Sequence, residues 1–228
     1  MIIDLFPIII CLNYIYSMNL VYQLSQLAPN PIPHHMLINM LQDYKRPNDK
    51  IHELISKKML LPVKKGLYVT GSAIGSNQVP KELIANLLYG PSYVSLDYAL
   101  AHYNLIPERV LKISSVSNKP SKTITNALGT FIYKHIPMPY YSYGISEYTN
   151  TFITCLIASP EKALCDKLVC TNGLNPRSVK ETIELLVNNW RIDEYNLKQL
   201  DVKQISSWLK KAPKKTAFEL LIKAIKQC

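Results

Sequence analysis

The chain has 228 residues, 48% of them hydrophobic, with 26 Lys and Arg against 16 Asp and Glu and a formal net charge of +10. This balance excludes a disordered, collagenous or coiled-coil chain and describes a folded basic protein, able to bury roughly 70% of its unfolded surface as one large domain or two small ones. Five cysteines without a CxxC pair point to a reduced, cytoplasmic protein and away from a disulfide framework or a zinc site.

The charge is unevenly spread. Residues 1–40 carry a net −1, 41–90 carry +4, 91–140 carry +3, 141–190 carry −1 and 191–228 carry +5. Two basic zones therefore flank a nearly neutral segment, a field that recruits polyanions without specifying a fold. Residues 1–17, MIIDLFPIIICLNYIYS, are apolar but contain Asp4, Pro7 and Asn13 and have no basic flank. They fit neither a signal peptide nor a bilayer span of about 20 residues. The expectation is that translation starts at Met18 and that this leader is a gene-model extension or a strand added to the fold. No membrane partner is expected.

From residue 18 the periodicity predicts three short helices. Leu20, Val21, Leu24 and Leu27 mark the first, which Pro31 and Pro33 end; Met36, Leu37, Met40 and Leu41 mark the second. Pro47 suits the first turn of a third helix running to about Lys58, with Ile51, Leu54 and Ile55 inward. Two short strands follow, Leu60–Val63 and Gly66–Thr70, joined at Lys64-Lys65-Gly66. This is the order of a winged helix-turn-helix over 18–71, in which the third helix enters the major groove of double-stranded DNA and the hairpin contacts phosphates. Candidate DNA-binding residues are Lys45, Arg46, Asn48, Lys50, His52 and Lys57 at and along the third helix, with Lys64 and Lys65 on the wing. Lys and Arg suit phosphate or guanine, and Asp49 or Glu53 suits cytosine N4. The two acids equally suit Glu/Lys pairing on a solvated helix face, and a hairpin tip is a common place for idle lysines.

Residues 72–79 read as a linker. Beyond it, helices are predicted from Pro80 and over 95–104, then strands over 110–116, 122–125 and 129–136, and a buried strand over 151–158. Ser159-Pro160-Glu161 is a helix start, with Ser at the cap, Pro in the first position and an acid in the first turn. Ser95 near Ser92 and His102 is read as a capping serine, since no G-x-S-x-G elbow is present. No phosphate-binding glycine loop appears, and the five histidines show no ligand spacing, so no cofactor or metal is expected.

Several strings in this order resemble the AbiEi family of antitoxins from type IV toxin-antitoxin systems. They are Lys65-Gly66-Leu67-Tyr68-Val69, the run from Leu87 to Leu100 with Leu105-Ile106-Pro107-Glu108, Leu128-Gly129-Thr130-Phe131, and Ser159 to Asp166. The resemblance covers about 18–170. It implies a winged helix that binds inverted repeats in its own promoter, with Arg46, Lys50, Lys57, Lys64 and Lys65 in the contact positions. It also implies a following domain that counters a nucleotidyltransferase-like toxin without a stable complex, in an abortive-infection, phage-defence setting. The chain departs from the family's pattern in the leader before Met18 and in its C-terminal tail.

The tail, 171–228, predicts helices from Asn175 to Trp190, over 202–211 and over 213–225, with Lys210, Lys211, Lys214 and Lys215 clustered at Pro213. These lysines suit DNA phosphate or simple solvation, and the apolar helix faces suit a homodimer. Cys165 and Cys170 read as small buried side chains. The sequence thus predicts an α+β protein: an N-terminal winged helix-turn-helix at 18–71, a mixed α+β domain at 80–170 and a helical basic tail. It is read as a non-enzymatic DNA-binding autoregulator and antitoxin. The alternatives are a plain regulator with a ligand-sensing or dimerising second domain, or a DNA-targeted nuclease, for which no PD…(D/E)xK-like acidic cluster is seen.

Overall fold

The computed structural model describes residues 18–75, 79–150 and 153–228; the apolar leader, the middle of the 72–79 linker and the first two residues of the expected 151–158 strand lie outside them. The chain divides into two compact units, Met1–Pro80 and Lys81–Cys228, the second including the C-terminal helices. The architecture is mixed α+β with a helical C-terminal tail.

In the first unit, helix α1 (18–27) is followed by β1 (Ile32–Pro33), α2 (His34–Met40), α3 (Pro47–Ser56), β2 (Leu60–Lys64) and β3 (Leu67–Thr70). The strands form an antiparallel sheet in the order β1-β3-β2. Pro62 sits in edge strand β2, where a missing N–H breaks no internal ladder, and a register irregularity follows it between Pro62 and Lys64. Leu20, Leu24, Ile32, Leu37, Leu41, Ile51, Leu54 and Leu60 form one buried cluster that joins all three helices to β1 and β2. Each such side chain stabilises the unit by about 1.5–3 kcal/mol relative to exposure. Met36, expected inward, is 38% exposed.

The second unit is built on a six-stranded mixed sheet, β6-β7-β5-β4-β9-β8. Its strands are β4 (Ser92–Val94), β5 (Ile113–Ser117), β6 (Lys122–Asn126), β7 (Gly129–His135), β8 (Ile145–Thr149) and β9 (Thr154–Ala158). Helices α4 (Lys81–Leu88), α5 (Leu96–His102) and α6 (Pro160–Cys170) pack on it. Then come α7 (Val179–Glu184), which runs on into a π-helical turn at Leu185–Asn189, α8 (Glu194–Lys198), α9 (Val202–Trp208) and α10 (Lys215–Gln227). Helix α10 packs on α7 and α9, and Phe218 meets Tyr140 edge-on at 5.5 Å.

Several elements differ from expectation. β5 starts at Ile113, so Val110, Leu111 and Lys112 belong to a loop, with Leu111 73% exposed. Strands β1, β4 and β8 and helix α8 have no counterpart among the expected elements. Helix α7 begins at Val179, four residues after Asn175, because Ser178 supplies the cap by accepting from Glu181 N. Ser95 does stand at the cap position of α5, but its hydroxyl donates elsewhere, to Asp166.

Candidate nucleic-acid interface

Helix α3 owes its start to Pro47, whose fixed φ and missing N–H suit the first turn, and to Asp49, whose charge complements the helix N-terminus. Arg46 stands at the cap position and pairs loosely with Asp49 at 3.7 Å. The helix ends in a two-bond C-terminal lock: Lys58 N donates to Ile55 O and Met59 N donates to Leu54 O, with Lys58 left-handed at φ 56. Gly71 closes against this end, its N–H donating to Met59 O at 2.8 Å; a Cβ there would lie 2.1 Å from Lys58 O. The hairpin turns at Gly66, φ +78, and its carbonyl accepts from His34 N at 2.9 Å, which ties the tip to the start of α2.

Of the residues singled out from the sequence, Lys45, Arg46, Asn48, His52 and Lys57 are exposed or half-buried at or along α3, and Lys64 and Lys65 are exposed at the hairpin tip. Lys50 departs from the expected open position. Its side chain is 19% exposed, donates to Glu53 at 2.9 Å and lies 5.2 Å over the Tyr44 ring. Glu53 also binds Lys57, and these two ammonium groups, Lys57 foremost, hold its carboxyl below the usual carboxylate range. The helix face is therefore partly self-neutralised, and at its start Lys45 and Arg46 are exposed and clear of Glu53. Surface pairs of this kind stabilise the fold by about 0–1 kcal/mol.

The second unit contains a polar node that sequence reasoning missed. Lys162 and Asp166, one turn apart on α6, are both fully buried with their charged ends 3.0 Å apart. Asp166 accepts from Tyr93 Oη at 2.9 Å and Ser95 Oγ at 2.8 Å, which joins α6 to β4 and to the start of α5. Lys162 donates to Tyr140 O at 2.9 Å and lies 3.3 Å from the centre of the Tyr140 ring. Burial pushes the Asp166 carboxyl up and the Lys162 amine down, each against the pull of the other. Burial and the Asp166 charge raise the Tyr93 hydroxyl well above its ordinary value. The one legible signal is Lys and Asp at i, i+4 immediately after the Ser159-Pro160 cap, in a helix whose positions 161–166 are all buried.

The C-terminal lysine cluster also divides. Lys214 Nζ donates to the carbonyls of Leu168, Thr171 and Leu174 at 3.0, 2.9 and 3.1 Å, sealing the C-terminal end of α6. It is withdrawn from the lysine cluster read as facing either DNA phosphate or solvent, whereas Lys210, Lys211 and Lys215 are exposed.

Among solved structures, the chain is similar to the crystal structure of the RV2827C protein from Mycobacterium tuberculosis, with a TM-score of 0.54 and 14% sequence identity over 92% of this chain and 81% of that one. The likeness is one of fold alone. No family model and no curated protein matches the sequence. No helix among the described residues is long and apolar enough to cross a membrane.

Proposed function

We propose that the chain is a transcriptional autoregulator that binds double-stranded DNA through a winged helix at 18–71, with α3 in the major groove and the β2–β3 hairpin against the backbone. The observation that carries this reading is the element order: a helix, a short strand, two helices and a hairpin that pairs with that first strand, bearing Lys64 and Lys65 at its tip. In such a unit the helix reads base edges and the wing positions the protein on phosphates. Arg46 and Lys45 at the start of α3, with Asn48 and His52 on its outer surface, are the base-reading and phosphate-binding groups. Lys50, held by Glu53, orders that face.

On the family resemblance, the regulator is also the antitoxin of a type IV toxin-antitoxin system, acting against a nucleotidyltransferase-like toxin without a lasting complex and binding inverted repeats as a dimer. The deciding experiment for DNA binding is a gel shift on the chain's own upstream region at several salt concentrations. Arg46→Ala and the pair Lys64→Ala with Lys65→Ala are expected to weaken binding and to lower the salt slope by about one for each phosphate no longer neutralised. Lys50→Ala is expected to change affinity less. Wild-type affinity and slope in the first two variants would refute the assignment of α3 and the wing. For the antitoxin role, co-expression with a neighbouring nucleotidyltransferase-like gene should restore growth; unrelieved growth arrest would leave the regulator without that role.

A second reading, a regulator whose second unit senses a small ligand, is favoured by one observation, the cavity beside Trp190.

A further inference from the structure

That cavity lies within the second unit, between the loop from Ile106 to Lys112, α6 and the end of the π-helical turn, and has a volume of about 500 Å³. This falls inside the range of about 300–1,000 Å³ usual for small-molecule sites. Its walls are largely apolar, formed by Ile106, Val110, Leu111, Ile132 and the Trp190 indole. Leu111 is 73% exposed at its rim, an apolar side chain left in water on a loop.

Five charged side chains line the cavity: Asp97, Glu108, Arg109, Lys112 and Lys167. Both acids are already engaged, Asp97 by Lys167 and Glu108 by Arg191 at 3.0 Å. Lys167 also stands 4.8 Å over the Trp190 ring. Arg109 and Lys112 are exposed and have no ion-pair partner among the described residues. The lining therefore offers, from one loop, two positive charges without an ion-pair partner beside an apolar, aromatic hollow. The loop's one acid, Glu108, is taken up by Arg191, and the stretch that follows, residues 109–146, holds five Lys and Arg and no Asp or Glu. Asn189, exposed at the end of the π-helical turn, adds an amide that donates and accepts, as the edge of a heterocycle requires. Single-turn π insertions often mark functional positions.

We propose that this cavity binds a nucleoside monophosphate, with the base against Trp190, Leu111 and Ile132 and the phosphate between Arg109 and Lys112. A phosphate monoester carries about −1.5 to −2 at pH 7, which matches two free cations better than a single carboxylate does. An apolar wall with one indole suits a planar ring better than a sugar alone. The site shares no residue with α3 or the hairpin, so it stands or falls separately from the DNA-binding reading.

The test is calorimetric titration of the full chain with AMP, GMP, CMP and UMP, with the matching nucleosides and inorganic phosphate as controls. At least one nucleotide is expected to bind in the micromolar range, roughly tenfold or more tighter than its nucleoside and than phosphate. Arg109→Ala with Lys112→Ala should weaken that binding by roughly tenfold or more while leaving the melting temperature unchanged, since both side chains are exposed. Trp190→Leu should weaken nucleotide and nucleoside alike. No heat at about 1 mM nucleotide, equal binding of nucleoside, equal binding of inorganic phosphate, or wild-type affinity in the double variant would each overturn the proposal. A gel shift on the same double variant, unchanged from wild type, keeps the outcome separate from DNA binding.

Discussion

Replacing Asp166 by Ala removes the counter-ion of a fully buried ammonium and the acceptor of two hydroxyls, those of Tyr93 and Ser95. Breaking a buried pair from one side typically costs about 3–5 kcal/mol, because the remaining charge has lost its compensation. The cost has a ceiling, since Lys162 can shed its proton. Neutralising an amine of ordinary pKa near 10.4 at pH 7 costs about 1.36 kcal/mol per unit, or about 4.6 kcal/mol, and burial already lowers this amine before the mutation. Two orphaned hydroxyls add about 1–3 kcal/mol each where they find no new partner. For a unit of 148 residues, the charge contribution alone, a loss of about 4–5 kcal/mol, corresponds to a fall of about 10–20 °C in melting temperature. The variant's Lys162 has a folded-state pKa below its unfolded one. Its destabilisation is therefore greatest at low pH and shrinks as pH rises toward the unfolded value near 10.4. Thermal melts by circular dichroism at about pH 7 and pH 9, with Lys162→Met/Asp166→Ala alongside, check both parts. The double variant should recover much of the loss, because no charge is left buried. A drop of under about 1 kcal/mol in the single variant, or a double variant as unstable as the sum of the two singles, would refute the reasoning.

Lys214→Ala should destabilise the second unit by about 1.5–3 kcal/mol, since three carbonyls at the end of α6 lose one shared donor, whereas Lys215→Ala should be neutral; urea unfolding distinguishes the two. Gly144→Ala should destabilise by several kcal/mol, because the residue sits at φ +60 and its Cβ would lie 2.7 Å from the Trp208 ring and 2.8 Å from Lys162 Cβ; near-ultraviolet circular dichroism and melting report it. Thiol labelling at about pH 8 should leave Cys155, Cys165 and Cys170 unmodified in the folded protein. Burial raises the Cys155 thiol to about 11, the Cys170 thiol to about 12 and the Cys165 thiol well above its ordinary value, so peptide mapping after labelling should show them only under denaturant.

The elements legible in the sequence are those whose causes are local. Pro47 opens α3, the Ser159-Pro160-Glu161 string opens α6 with Ser159 Oγ accepting from Lys162 N, and alternation between turn residues marks β6 and β7. β4 was hidden because three wholly buried residues show no period, and β8 because it is an edge strand stabilised mainly by its pairing with β9. The candidate interface was legible as a set of residues but not as an electrostatic surface. A helical wheel places Lys50, Glu53 and Lys57 on one side, yet only the folded side chains show that Glu53 takes both lysines. The burial of Lys162 and Asp166 and the triple bonding of Lys214 leave no mark in the sequence because the groups that bury and bind them lie far away in it.

The sheet of the second unit is joined across its middle by very little. β4 pairs with β9 through the single register position Val94↔Ile157, and the amide of Asn86 completes the seam, accepting from Leu156 N at 2.7 Å and donating to Leu156 O at 3.2 Å and Ser92 O at 3.3 Å. One side chain thus substitutes for a stretch of backbone pairing. The β8–β9 hairpin consequently has a natural line of separation within the sheet, and hydrogen exchange is expected to find its amides less protected than those of β5 and β7, whose five-residue ladder is continuous.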